Sequence, residues 1–132
     1  MENTRENARR LGQEGERRAV ELYRQWGYAI LVRNDAFAGL GELDFVAMKG
    51  HLLAFVEVRA RAGTSGGHPL DTITPSKRSR VLRSARLYWD RIDDDLRRRV
   101  EEIRFDVVSV QEKSFGWVIT PVLGAFESDS IW

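Results

Sequence analysis

Two strand-like runs on either side of Lys49-Gly50 constrain the fold most. Glu42 to Met48 carries Phe45 and Val46, Leu52 to Arg61 carries Phe55, Val56 and Val58, and so short a Gly-containing turn predicts an antiparallel hairpin. A strand sends residues i and i+2 to the same side, so Glu42 and Asp44 share a face, as do Glu57 and Arg59. With Lys49 and Gly50 as the turn, Met48 stands opposite His51, Val46 opposite Leu53, Asp44 opposite Phe55 and Glu42 opposite Glu57. All four polar side chains then point the same way, and Asp44 and Glu57 are diagonal neighbours; a three-residue turn would flip one strand and separate them.

The elements around the hairpin follow from periodicity. Leu11, Gly15, Ala19, Leu22, Tyr23 and Trp26 share a stripe, which predicts a helix from Ala8 towards Tyr28, ended by Gly27. Tyr28 to Arg33 reads as a strand leading into a Gly-containing loop, Asn34 to Gly41. Ala62 to Pro69, rich in Gly, Thr and Ser, reads as a mobile loop. Thr74-Pro75 then offers a capping hydroxyl before a first-turn proline, and Val81, Ala85, Tyr88, Trp89 and Ile92 give the helix after it a buried stripe. The charged stretch Asp93 to Glu102 has room for another helical turn, and Ile103 to Val110 and Trp117 to Val122 read as two last strands. The order predicts an α/β fold, a mixed five-stranded sheet flanked by helices.

A chain of 132 residues and 15.2 kDa is the size of one domain. It has no cysteine, which excludes a disulfide scaffold, a thiolate zinc site and a cysteine nucleophile. His51 and His68 lie in a turn and a glycine loop with no partner at metal-ligand spacing, and Gly63 to Gly67 lacks the Lys-Ser/Thr of a phosphate-binding loop. Trp26, Trp89 and Trp117 read as core residues, and Trp132 as exposed. There is no apolar run long enough for a membrane and no address signal, so a cytoplasmic protein with no membrane partner is expected. Basic and acidic residues nearly cancel, 21 against 20, so an anionic partner must meet a local patch.

The acidic face has a physical problem. Two carboxylates about 4 Å apart repel by about 4 kcal/mol at an effective dielectric near 20, so the side chains must splay into water or share a cation. The flanking Val46, Leu53, Phe55 and Val56 predict strands covered on both faces, which restricts splaying. A divalent ion held by Glu42, Asp44 and Glu57 would be Mg²⁺ or Mn²⁺ rather than Zn²⁺, because every donor is a carboxylate. Spacing alone leaves open the choice between that ion and a solvated acidic edge.

Gly41-Glu42-Leu43-Asp44 followed by Phe55-Val56-Glu57-Val58-Arg59 resembles the D…E-x-K core of the restriction-endonuclease-like fold. With Gly12-x-x-Gly15-Glu16, Lys77 and Arg104-Phe105-Asp106-Val107-Val108, the chain from Leu11 to Phe126 resembles the YraN-like family of small bacterial proteins, similar in arrangement to archaeal Holliday junction resolvases. The resemblance implies an αβββαβ core, a single nuclease-like domain over residues 1–132, and a metal-dependent endonuclease acting on branched or single-stranded DNA. It also implies that Asp44 and Glu57 bind the metal, that Glu42 assists and that Glu16 reaches the same site. Arg59 stands where the core carries lysine; its planar fork does not replace a compact ammonium, so either catalysis is weakened or Lys77 takes the role.

A phosphate backbone would be gripped by Arg61, Lys77, Arg78, Arg80, Arg83 and Arg86, there being no acid between Asp71 and Asp90. Arg9, Arg10, Arg17 and Arg18 on the first helix fit a solvated face at least as well. Besides the nuclease, two readings are consistent with these residues: a nucleic-acid-binding module with little or no cleavage, and an assembly factor whose acidic edge is structural. The sequence leaves oligomeric state open, a homodimer included.

Overall fold

The computed structural model describes residues 4–34, 39–63 and 68–127. Their order is α1 (Thr4–Gln25), β1 (Ala29–Arg33), β2 (Phe45–Lys49), β3 (Leu52–Ala62), one 3₁₀ turn (Pro69–Thr72), α2 (Pro75–Arg91), α3 (Asp94–Arg99), β4 (Glu102–Lys113) and β5 (Gly116–Phe126). The strands form one mixed sheet in sequential order, antiparallel except for β3 and β4. This is the expected α/β class, consistent with a restriction-endonuclease-like core. Residues 64–67 of the glycine loop, 35–38 of the loop before β2, and Trp132 lie outside the described residues.

Both faces of the central strands are covered, which is why they read as nearly continuous apolar runs. Phe45, Ala47, Ala54 and Val56 pack under Ala19, Val20 and Tyr23 of α1. Val46, Met48, Leu53 and Phe55 pack under Val81, Leu82 and Ala85 of α2. Trp26 and Trp117 border the first cluster and Trp89 the second, each partly buried. Parallel pairing of β3 with β4, from Leu52 opposite Glu102 to Ala62 opposite Glu112, requires a crossover, and α2 and α3 supply it. Thr74 caps α2 as expected, its side chain accepting from the Lys77 N–H, with Pro75 in the first turn. The charged stretch after Ile92 forms α3, capped by Asp93.

Several boundaries differ from the sequence reading. α1 starts at Thr4, ahead of Ala8, and β2 starts at Phe45, leaving Glu42 and Asp44 in the loop before it. The hairpin register is also displaced: Lys49 pairs with Leu52, so Gly50 and His51 form the turn and Met48 faces Leu53. The displacement is two residues, an even number, so every side chain keeps its face. Gly50, at φ +60°, supplies the left-handed turn residue. Both histidines serve locally: His51 Nδ1 lies 2.8 Å from the Arg99 carbonyl, and the His68 ring accepts from the Leu70 N–H.

The sequence reading missed a buried polar network. Asp106, 1 % exposed on β4, accepts from Tyr23 Oη at 2.6 Å, from Arg104 Nε and Nη2 at 2.7 and 2.8 Å, and from the Gly124 N–H at 3.0 Å. Arg104 Nη2 also donates to Tyr28 Oη at 2.7 Å. One carboxylate therefore ties α1 and β5 to β4, its desolvation offset by donors on both oxygens.

Gly15 sets how closely α1 approaches the sheet. A Cβ there would stand 2.8 Å from the Ala60 Cβ, whereas a Cβ at the exposed Gly12 would meet nothing within 4 Å. Alanine gains up to about 1 kcal/mol of helix propensity over glycine, and overpacking a tight contact costs about 1–3 kcal/mol. Urea unfolding should therefore show Gly12→Ala stabilised and Gly15→Ala destabilised, by on the order of 1 kcal/mol each. Equal effects would mean that the helix can move off the sheet at no cost.

Candidate functional site

The site begins where β2 leaves β3. The last β2–β3 pair is Phe45 with Val56, while β3 continues to Ala62. Asp44 bridges the departure: its N–H donates to the Val56 carbonyl at 2.9 Å, and its Oδ2 accepts from the Val58 N–H at 2.6 Å, where a longer β2 would have offered a carbonyl. The segment before it is fastened to its surroundings. Asn34 Nδ2 donates to the Gly41 carbonyl, Asn34 N–H to the Asp44 carbonyl, and Glu42 N–H to Ser84 Oγ on α2. Gly41, at φ +60°, lies against Ser84 so closely that a side chain would collide with it.

Glu57 follows on β3, 3 % exposed and on the α2 face. Lys77, in the first turn of α2, places Nζ 3.0 Å from Glu57 Oε1 and 2.5 Å from Glu42 Oε2. Arg80 Nε adds a second contact to Glu42 at 3.2 Å, and Arg59 Nη1 stands 3.7 Å from Glu57 Oε1. Glu57 Oε2 is buried and has no hydrogen-bond partner among the described residues. An unsatisfied carboxylate oxygen in an apolar surround is a costly feature, and it marks the inner end of the site.

Burial dominates the protonation of the acids. It pushes the Asp44 carboxyl up to about 7, against the Val58 N–H, and the charges of Glu16 and Glu57 push the same way. It also raises Glu57, against Lys77 and Arg59, and Glu16, against Arg33. Glu42, nearer solvent, is held below the usual carboxylate range by its hydrogen bond to Lys77 and by Arg80. Burial draws the Lys77 ammonium down, but Glu42 and Glu57 outweigh it and hold it above the ordinary lysine value.

The structure thus brings Glu42, Asp44, Glu57, Arg59 and Lys77 to one end of the sheet. Glu16 stands at its border, ion-paired to Arg33 at 3.4 Å beside a cleft of ≈ 320 Å³ lined by Gln13, Glu16, Arg33 and Asn34. Among the described residues, no three carboxylate or imidazole side chains form a metal-ligating group, and the ammonium of Lys77 stands between Glu42 and Glu57. The arginines expected on a phosphate backbone are spread along one flank and make contacts within the protein. Arg61 Nη2 donates to Ser109 Oγ, Arg78 Nη2 to the Glu127 carbonyl, Arg80 reaches Glu42 and Arg86 pairs with Asp90, while Arg83 is exposed. Sequence reasoning missed Ser84, which holds the Glu42 loop, and the pairing of Arg80 with Glu42. A serine one helical turn from Arg80 on the α2 flank was the available signal.

A mixed five-stranded sheet with helices on both faces makes this an α/β protein, a class consistent with a restriction-endonuclease-like core, and its acidic cluster lies where a short strand leaves a longer one. The match to known proteins is more specific: the family described as uncharacterised protein family UPF0102 aligns over residues 15–110, a span that holds every residue of this cluster. The chain belongs to that family, the YraN family expected from its motifs. A UPF0102 protein of Symbiobacterium thermophilum is 39% identical over 104 residues, 79% of this chain and 84% of its own. One of Chromohalobacter salexigens is 35% identical over 122 residues, covering 89% and 94%. Among the described residues, no helix is long and apolar enough to cross a membrane.

The raised Asp44 carboxyl makes stability pH-dependent. In the unfolded chain this aspartate ionises near its ordinary value of 3.8, and in the folded protein only near 7, so the folded state holds the extra proton between them. Stability must then fall as pH rises from about 4 to about 7 and level off above. In EDTA, Asp44→Asn, which keeps an oxygen for the Val58 N–H, should flatten this decline. It should also stabilise the protein at pH 8 by on the order of 2 kcal/mol. The slope that remains combines the decline from Glu57 and Glu16 with an opposite contribution from Glu42 and Glu14, whose carboxyls are held low. An unchanged pH profile by thermal denaturation would show that Asp44 ionises at the same pH in the folded and unfolded protein.

Proposed function

We propose that this protein hydrolyses phosphodiester bonds in DNA, branched or single-stranded, with Mg²⁺ or Mn²⁺ held by Asp44 and Glu57 and assisted by Glu42. The observation that carries this reading is the buried Oε2 of Glu57, without a hydrogen-bond partner among the described residues, near the half-buried carboxyl of Asp44. Lys77 is shared with Glu42, so one ammonium does not neutralise both inner acids. A donor set of oxygens alone fits a hard divalent cation, and two desolvated acids gain most from one. Such a cation, when bound, lowers the pKa of a water and offsets charge on the phosphate. The chain's own residues do the rest. Lys77 and Arg59 present positive charge to the phosphate oxygens, Arg78, Arg80, Arg83, Arg86 and Arg61 line the flank along which a backbone would run, and Glu16 adds a carboxylate on the opposite side.

Arg59 supports a second reading, a DNA-binding module with little or no cleavage. Its guanidinium is 3.7 Å from Glu57 Oε1, and it cannot present the compact charge of the lysine it replaces. Cleavage of labelled duplex, single-stranded and four-way-junction DNA with Mn²⁺ at several salt concentrations separates the two. The nuclease requires cutting by the wild type, a loss of about 100-fold or more in Glu57→Ala, and faster cutting by Arg59→Lys. If none of the three cuts while all bind DNA with the same salt dependence, the protein is the binding module.

A further inference from the structure

The Lys77 ammonium stands between Glu42 and Glu57, two of the carboxylates proposed above to hold a metal. Its side chain is only 16% exposed, and its backbone is fixed by the Thr74 cap at the start of α2. The stem can still move, as four rotatable carbons separate the charge from that fixed backbone. Its two partners are not equally dependent on it. Glu42 has Arg80 at 3.2 Å as a second cation and remains neutralised if Lys77 leaves. Among the described residues, Glu57 would keep the more distant Arg59 on Oε1 and has no hydrogen-bond partner on Oε2. A divalent ion seated against Glu57 would repel an ammonium 3 Å from the same carboxylate, so the two cations compete for one position.

We propose that Lys77 is a resident, exchangeable cation: a divalent ion enters by displacing it from Glu57, and the released ammonium is taken up by a DNA phosphate. This rests on the proposed function and adds its regulation. Because DNA holds Lys77 away from Glu57, DNA raises metal affinity, and by linkage the metal raises DNA affinity by the same factor. Without DNA the lysine keeps the site closed to metal, so metal loading is confined to the bound state.

Isothermal calorimetry with Mn²⁺ tests this on the wild type, Lys77→Met and Lys77→Gln, with and without a short phosphorothioate duplex that resists cleavage. Removing the competitor should tighten Mn²⁺ binding by about tenfold or more without DNA. The duplex should tighten Mn²⁺ binding to the wild type by about fivefold or more, and this coupling should vanish in both variants. DNA affinity at fixed Mn²⁺ should meanwhile fall in the variants with a salt slope smaller by about 1, one phosphate contact. Binding of Mn²⁺ by Lys77→Met but not by the wild type also supports the exchange. If the wild type binds Mn²⁺ and the variants bind it equally or more weakly, or keep the coupling to DNA, Lys77 supports the metal rather than excluding it and the inference is wrong. If no protein binds Mn²⁺, the metal reading itself fails and the inference with it. Circular dichroism checks each variant's fold. Lys77→Met keeps most of the stem's length without the charge, Lys77→Gln keeps a donor on a shorter stem, and the wild-type coupling is measured without any substitution.

Discussion

The length of β3 governs the rest of the structure. On one side it pairs in parallel with β4 along its whole length, from Leu52 to Ala62; on the other it meets β2 only as far as Val56. Parallel pairing forces the chain into a crossover, which brings the first turn of α2 back over the outer half of β3. The short β2 leaves that same half without its second neighbour. Asp44, Glu57 and Lys77 meet there because one strand stops early and the connection beside it cannot be short.

Two acids are buried in this sheet, and their surroundings differ in kind. Asp106 has donors on both oxygens from three elements. Among the described residues, Glu57 has cations on one oxygen and no hydrogen-bond partner on the other, and the Asp44 carboxyl nearby accepts from the Val58 N–H. Equal burial therefore produces a structural tie in one place and an unbalanced charge in the other. Unbalanced, partly solvated groups of this kind gather where a ligand completes the set.

Side-chain parity was legible in the sequence because it depends only on the even count of the turn, and it survived a displaced register: Asp44 and Glu57 still reach the same end of the sheet. The start of α2 was equally legible, since Thr74 and Pro75 act through adjacent backbone. The end of β2 was not. Glu42 and Asp44 alternate like strand residues, and only the overhang of β3 explains why Asp44 caps the Val58 N–H instead of pairing. Nor were Ser84 and the Asp106 network visible, because their partners lie 42, 83 and 18 residues away in the chain. Local pattern carries no information over such separations.

The Asp106 tie has a temporal side as well. Its donors come from Tyr23, near the start of the chain, and Gly124, close to its end. Burial against α1 and β4 already gives each oxygen a donor, Tyr23 Oη and Arg104 Nη2 on Oδ2 and Arg104 Nε on Oδ1, and β5 adds the Gly124 N–H to Oδ1. The carboxylate can therefore be enclosed before β5 pairs, so that β5 is laid onto a charge already met. A chain that stopped before β5 would lose no essential donor there; it would instead leave β4 as an open sheet edge, ready to pair with another chain.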